Sequence, residues 1–446
     1  MRVSRHPMTK TPTPQRTAAY ASSVEAMRAE AMFGASNYDP LRVVAARAEG
    51  AWIEDIEGRR YIDLMSAYSA VSFGHAHPRI VDALVAQART LAVTSRAFHN
   101  DRLPALLARL CALTGLARAL PVNTGLEAVE TALKAARKWG YRVKGIGDDR
   151  ATIIVCRGNF HGRSITISGF SSEAQYRDGF GPFTPGFVSV DYGDSDALER
   201  AITADTAAFL VEPVQGEAGI VVPPDGYLAR CAEICRRHNV LLITDEVQTG
   251  LGRTGYLLGA MHDGVAPDGV VLGKALGGGL LPVSAFVASD DVMQVFRPGD
   301  HGSTFGGNPL AAAVAMAALD VLEDEALCER SRTLGAWLLR ELATIDSPLI
   351  ANVRGRGLLI GIEVDARRIG ARAVAERFLA HGLLSKDTHS TVVRIAPPLN
   401  IPRETLELAL TSIRRVFAEL DAGIVAPGID AHAGVQAAGA RAASRA

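Results

Sequence analysis

Short, continuous apolar runs recur through the middle of the chain, separated by stretches with a helical period. Ile153-Ile154-Val155-Cys156, Ala207-Ala208-Phe209-Leu210-Val211, Val240-Leu241-Leu242-Ile243-Thr244, Val270-Val271-Leu272 and Val283-Ser284-Ala285-Phe286-Val287 are of strand length. Their lack of apolar–polar alternation predicts strands covered on both faces. A helix is predicted from Leu228 to His238, between the second and third runs. Another is predicted from Glu127 to Trp139, where Val129, Ala132, Leu133 and Ala136 fall on one face. This βαβ-like order predicts an α/β fold with a mostly parallel central sheet. From Leu319 the pattern changes to one long helical stretch reaching about Ile345. Strand-like pieces follow at Leu358–Val364 and Val392–Ile395, with helices between them and after Pro402. That C-terminal part reads as a smaller α+β unit. The segment Gly50–Gly58 reads as a hairpin turning at Glu57-Gly58.

Composition narrows the classes. The 446 residues allow about two to four domains at roughly 100–200 residues each. Lys and Arg number 47 and Asp and Glu 48, a net charge of −1, so no global signal points to nucleic acid or an anionic membrane. No apolar stretch approaches the roughly 20 residues of a membrane span. Five cysteines, an odd and sparse set, are not a disulfide framework and suit a reducing compartment. Cys231 and Cys235 are four apart, and His238 is the only obvious further ligand nearby. They read as one face of a helix and not as a metal site. Residues 1–23 carry Arg2, Arg5, Lys10 and Arg16 with no acidic residue before Glu25. That composition resembles a mitochondrial presequence, but the segment has no clear amphipathic face. A flexible extension over 1–30, with Met8 as a second possible start, and a cytoplasmic location are therefore expected. The mitochondrial matrix is the alternative. Residues 426–446, rich in Ala, Gly and Arg, read as a flexible tail.

Three features suggest chemistry. Asp245 closes an apolar run, and open α/β sheets bind ligands at the C-terminal ends of their strands. Lys274 follows the next run, Val270–Leu272, in the glycine-rich setting Gly273-Lys274-Ala275-Leu276-Gly277-Gly278-Gly279. Asn123-Thr124-Gly125-Leu126 opens the helix predicted from Glu127, and a helix N-terminus suits a phosphate. Alone, such a helix start is common to many proteins. Together the three match the needs of pyridoxal phosphate: a lysine for a Schiff base, a carboxylate for the pyridine nitrogen and a helix start for the phosphate.

The segment Asp245-Glu246-Val247-Gln248-Thr249-Gly250-Leu251-Gly252-Arg253-Thr254-Gly255, followed by Leu272-Gly273-Lys274, resembles the signature of the class III, fold-type I aminotransferases. The resemblance extends from about Phe33 to Glu419. Further segments, among them Gly34–Pro40, Ser66–Val71, Ala135–Tyr141, Gly158–Arg163 and His301–Pro309, are similar to the ornithine-using branch of that family. The resemblance implies a large domain over 68–325 and a smaller α+β domain over 326–425. The segment 31–67 is expected to pack with the small domain. It also implies a homodimer with active sites at the subunit interface.

The resemblance assigns residues as well. Lys274 is expected to bind pyridoxal phosphate covalently and to move the proton, and Asp245 to pair with the pyridinium. Gln248 is expected at the phenolic oxygen, and Phe160 and Val247 on the two ring faces. Gly125 and Leu126 would offer backbone N–H groups to the phosphate, joined by Thr304 of the other subunit. Thr124 and Ser303 complete that set. Arg163 would grip the α-carboxylate of L-ornithine, with Tyr38 near its α-amine and Tyr68 favouring ornithine over other ω-amines. Arg394 would take the second carboxylate of 2-oxoglutarate and be masked by Glu217 when ornithine binds. The expected reaction moves the δ-amino group of ornithine to 2-oxoglutarate. Alternatives are another ω-aminotransferase acting on acetylornithine, 4-aminobutyrate or lysine, a phosphate-binding protein without transamination, or a non-catalytic scaffold.

Overall fold

The computed structural model describes residues 20–423. Its centre is a seven-stranded sheet. The strands are β4 (Arg118–Val122), β5 (Thr152–Cys156), β6 (Phe187–Val190), β7 (Thr206–Val211), β8 (Leu241–Asp245), β9 (Gly269–Leu272) and β10 (Ser284–Ala288). Across the sheet they run β4-β10-β9-β8-β7-β5-β6. The pairs β9–β8, β8–β7, β7–β5 and β5–β6 are parallel, and β10 alone runs against both its neighbours. The five predicted runs are all strands, and the sheet is mostly parallel as expected. Two strands escaped prediction. β4 contains Pro121, which an edge strand tolerates; β6 has only four residues.

Alternate residues of the central strands enter different cores. Ile153, Val155, Ala208, Leu210 and Ile243 pack on the side of the helix Gly125–Trp139. Ile154, Cys156, Phe209, Val211 and Leu242 pack on the opposite side with Leu228, Cys231, Ile234 and Cys235 of the helix Tyr227–Arg237. Burial on both faces explains the unbroken apolar runs. Cys231 and Cys235 are thus buried core residues, and no metal-binding cluster occurs among the described residues.

The helical stretch predicted from Leu319 to Ile345 is two helices, Pro309–Asp324 and Leu327–Ala343. They are broken at Ala326, whose φ of 49° ends the ladder without a glycine or proline to announce it. β11 (Ile350–Arg356), β12 (Leu359–Val364), β14 (Asp387–Thr388) and β15 (Val392–Ile395) form an antiparallel sheet in the order β11-β12-β15-β14. The predicted hairpin is present as β2 (Trp52–Asp55) and β3 (Arg60–Asp63), with β1 (Ala45–Glu49) added at its edge. β3 pairs in parallel with β13 (Leu383–Leu384), so strands from both ends of the chain share one sheet.

The flexible extension expected over 1–30 needs correction where it is described. Ser23–Phe33 is a helix capped by Ser22, and Ser23 ties it to Glu57 through its N–H at 2.8 Å and its hydroxyl at 2.6 Å. The presequence-like residues before 20 and the tail of 426–446 lie outside the described residues. No described helix is long and apolar enough to cross a membrane.

Candidate active site

Strand ends bring the chemistry together. Asp245 is the last residue of β8, Lys274 follows β9 by two residues, and Glu212 follows β7 directly. The loop after β5 carries Phe160 and His161, and the turn after β4 opens the helix at Gly125. These ends lie on one edge because the parallel strands point the same way. Gly125, Leu126, Phe160, His161, Gly162, Glu212, Asp245, Val247, Gln248 and Lys274 line a cavity of about 170 Å³.

One wall of the cavity is a helix start. Thr124 and Glu127 form a reciprocal capping box, which consumes the N–H groups of Asn123, Thr124 and Glu127. The N–H groups of Gly125 and Leu126 belong to the first turn, outside the helix ladder, at the positive end of its dipole. Gly125 packs tightly: a Cβ there would lie 3.0 Å from Cγ1 of Val247. Asn123 Nδ2 donates to Ser303 Oγ at 2.8 Å, so Ser303 braces this turn from its own chain. Thr304 is exposed and does not line the cavity.

The floor holds four ionisable groups. Asp245 accepts from the N–H of Val247 at 3.0 Å and lies 2.7 Å from Nδ1 of His161. Burial opposes charge on His161, but the hydrogen bond and charge of Asp245 prevail and hold its pKa above the ordinary value. Glu212 accepts from Phe160 N–H at 2.8 Å and Gly216 N–H at 3.3 Å. Burial pushes its pKa up to about 7. Burial also lowers the Lys274 amine to about 8, against the opposing pull of Glu217 and Asp245.

Beyond Gln248 lies a charged lock. Arg394 is wholly buried, and its Nη2 donates to Glu217 Oε1 at 2.7 Å. Gln248 joins both partners: its Nε2 donates to Glu217 at 2.9 Å, and its Oε1 accepts from Arg394 at 3.0 Å. Burial disfavours the Glu217 carboxylate, but Arg394 and Lys274 outweigh it and hold its pKa below the ordinary value. The Tyr68 ring sits 5.1 Å from the Arg394 guanidinium carbon. Tyr68 belongs to a turn in which Ser66, Ala67, Tyr68 and Ser69 all have φ between 45° and 76°. Arg163 differs from Arg394. It is exposed, stacks 4.1 Å over the Tyr176 ring, and forms no ion pair among the described residues. Tyr38 is 75% exposed.

The structure therefore gathers Gly125, Leu126, Phe160, Asp245, Val247, Gln248 and Lys274 around one cavity, and Thr124 caps the helix that begins there at Gly125. Glu217, Arg394 and Tyr68 form an adjoining cluster. Sequence reasoning passed over His161 and Glu212. His161 stands inside a segment already singled out. Glu212 follows Ala207–Val211 just as Asp245 follows Val240–Thr244, so the same strand-end signal was present for both.

Comparison with known proteins finds relatives over nearly the whole chain. The family described as aminotransferase class-III matches residues 33–417. An ornithine aminotransferase of Bacillus subtilis (strain 168) is 53% identical over 399 residues, covering 90% of this chain and 99% of that protein. The solved structure of the ornithine aminotransferase from Toxoplasma gondii, described with partial occupancy of PLP at its active site, superposes with a TM-score of 0.89. It is 46% identical, with 91% of this chain and 96% of that one covered. An acetylornithine aminotransferase from Elizabethkingia anophelis is also 46% identical, with a TM-score of 0.81 and coverage of 89% and 99%.

Proposed function

The chain belongs to the class III aminotransferases, and from that premise we propose that it transfers the δ-amino group of L-ornithine to 2-oxoglutarate, giving glutamate 5-semialdehyde and glutamate. Pyridoxal phosphate is its cofactor, and when bound it supplies an electron sink for the carbon that loses a proton. The residues present fit that group. A lysine amine, a carboxylate and a helix N-terminus line one cavity, and Cβ atoms at Gly125 or Gly162 would crowd Val247 at 3.0 Å or Leu126 at 3.2 Å.

In this reading Lys274 is the nucleophile and the proton carrier. An amine with a pKa of about 8 is partly neutral at pH 7, as nucleophilic attack requires. Asp245, oriented by Val247 N–H and His161, would offer its carboxylate to the ring nitrogen of the bound group. Gly125 and Leu126 N–H groups would hold the phosphate. Phe160 and Val247, which line the cavity, would flank the ring, and Gln248 would offer a hydrogen bond to its phenolic oxygen.

The contrast between the two arginines carries the substrate assignment. Arg163 is open to a carboxylate, whereas Arg394 is neutralised by Glu217 at 2.7 Å. A donor with one carboxylate uses Arg163 alone, with Tyr38 at its α-amine and Tyr68 against its chain. The dicarboxylate acceptor needs both cations, so Glu217 must leave Arg394 for it to bind. A substrate panel tests this on purified protein. Ornithine is expected to outpace N-acetylornithine, 4-aminobutyrate and lysine; faster turnover of any of these would sink the assignment.

We also propose a homodimer in the cytoplasm. The exposed Met32, Phe33, Phe98 and Phe305 support an apolar subunit contact, and Phe305 adjoins Thr304, which would reach the phosphate of the other subunit. Light scattering should give twice the chain mass. Five unpaired thiols support a reducing compartment, and the mass of the mature N-terminus distinguishes it from matrix import with cleavage.

A further inference from the structure

We propose that Glu212 is a positioning residue that locks the loop carrying Phe160 to the loop carrying Glu217, so that ring stacking and carboxylate gating stay in register. The inference rests on the gate role given to Glu217 above. Glu212 is 5% exposed and divides its two oxygens between the loops. Oε1 accepts from Phe160 N–H at 2.8 Å, and Oε2 accepts from Gly216 N–H, one residue before Glu217, at 3.3 Å. Placing a carboxylate beside Asp245 in a buried site is unfavourable. Burial raises its pKa to about 7, so the site holds the group at a cost. Two backbone bonds to two different functional loops are what that placement achieves.

The outer parts of the same loops are held by neutral or distant groups. Gln215 Nε2 donates to Arg157 O at 2.8 Å. Arg354, from β11, donates to Gly219 O at 2.7 Å and Ile220 O at 3.0 Å. These contacts fix the far ends of the gate loop; its inner end, next to the cavity, is held at Gly216, whose carbonyl accepts from Arg394 Nη2 at 3.2 Å and whose N–H donates to Glu212. A carboxylate can accept from both N–H groups at once. A carboxamide of the same shape has one acceptor oxygen and must turn its NH₂ toward the second donor. An aspartate keeps the charge but is one methylene too short to span both loops.

The test compares wild type with E212Q and E212D, all loaded with cofactor. Hydrogen exchange followed by mass spectrometry should show amides in residues 157–163 and 213–221 exchanging about tenfold faster in both variants, with β7 and β8 unchanged. Half-reaction kinetics should show kcat/KM for ornithine falling several-fold relative to that for 2-oxoglutarate, because a looser Glu217 guards Arg394 less well. Ornithine bound the other way round would give up its α-amine, so 5-amino-2-oxopentanoate should appear beside glutamate 5-semialdehyde. Unchanged exchange in both loops would overturn the proposal. So would a rise spread evenly over the sheet, or equal slowing of both half-reactions. If E212Q does not fold, E212D carries the same test. If wild type does not use ornithine, the donor assignment fails, and the exchange data still decide the role of Glu212.

Discussion

Lys274 has opposing influences around it. Burial disfavours its charge, Glu217 and Asp245 favour it, and burial prevails, leaving the pKa at about 8. Because the lowered pKa makes the neutral amine available earlier, recombination of apoprotein with pyridoxal phosphate should quicken about tenfold per pH unit below 8 and level off above it. Stopped-flow absorbance would show this; a rate still climbing at pH 10 would mean an ordinary lysine. Lys274→Ala should abolish turnover and the cofactor's bound absorbance band. Tyr68 invites a subtler test. Its φ of 58° makes a β-branched replacement a poor probe, since backbone strain would accompany loss of the ring. Tyr68→Leu should lower kcat/KM for ornithine about tenfold relative to 4-aminobutyrate, which steady-state kinetics on both donors would measure. At this scale much was legible. Asp245 and Lys274 declare themselves by following apolar runs. Glu212 offered the same cue, but an acidic residue after a strand becomes meaningful only when its neighbours are known.

Two turns do the work of elements here. Four consecutive left-handed residues, Ser66–Ser69, cost roughly 1–2 kcal/mol each for residues other than glycine. Asp63 offsets part of that by accepting from Met65 and Ser66 N–H, both at 2.8 Å, and Ser66 Oγ donates to Ala396 O at 2.8 Å. Nothing in Ser-Ala-Tyr-Ser predicts such a backbone, because its support comes from residues up to 330 positions away. The turn before Glu217 is equally exacting. A Cβ at Gly216 would lie 2.3 Å from Gln248 Oε1, so Gly216→Ala must displace Gln248 from between Glu217 and Arg394. We expect KM for 2-oxoglutarate to change several-fold in that variant while Tm falls by only a few degrees, measured by half-reaction kinetics and calorimetry. The helix break at Ala326 has the same lesson: a left-handed residue without glycine leaves no mark in the sequence.

On the scale of the whole molecule, the two neighbours Ser303 and Thr304, both proposed to serve the phosphate, behave differently. Ser303 braces Asn123 within its own chain, whereas Thr304 is exposed beside Phe305. If Thr304 serves the other subunit, Thr304→Ala should raise the cofactor dissociation constant about tenfold without changing the dimer mass, by equilibrium dialysis and light scattering. Dissociation into monomers would instead assign it to subunit contact.

Taken alone, the sequence determined five of the seven central strands, the helix that opens at Gly125 and the placing of Lys274 and Asp245 at strand ends. Those follow from local rules: strands buried on both faces must be apolar throughout, and ligand groups sit where parallel strands end. Tertiary structure decided that Arg394 is masked and Arg163 open, that Glu212 joins two loops, and that β3 finds its partner in β13 more than 300 residues later. These depend on which distant groups share a buried space, where a missing partner is costly, and periodicity along a chain carries no record of that.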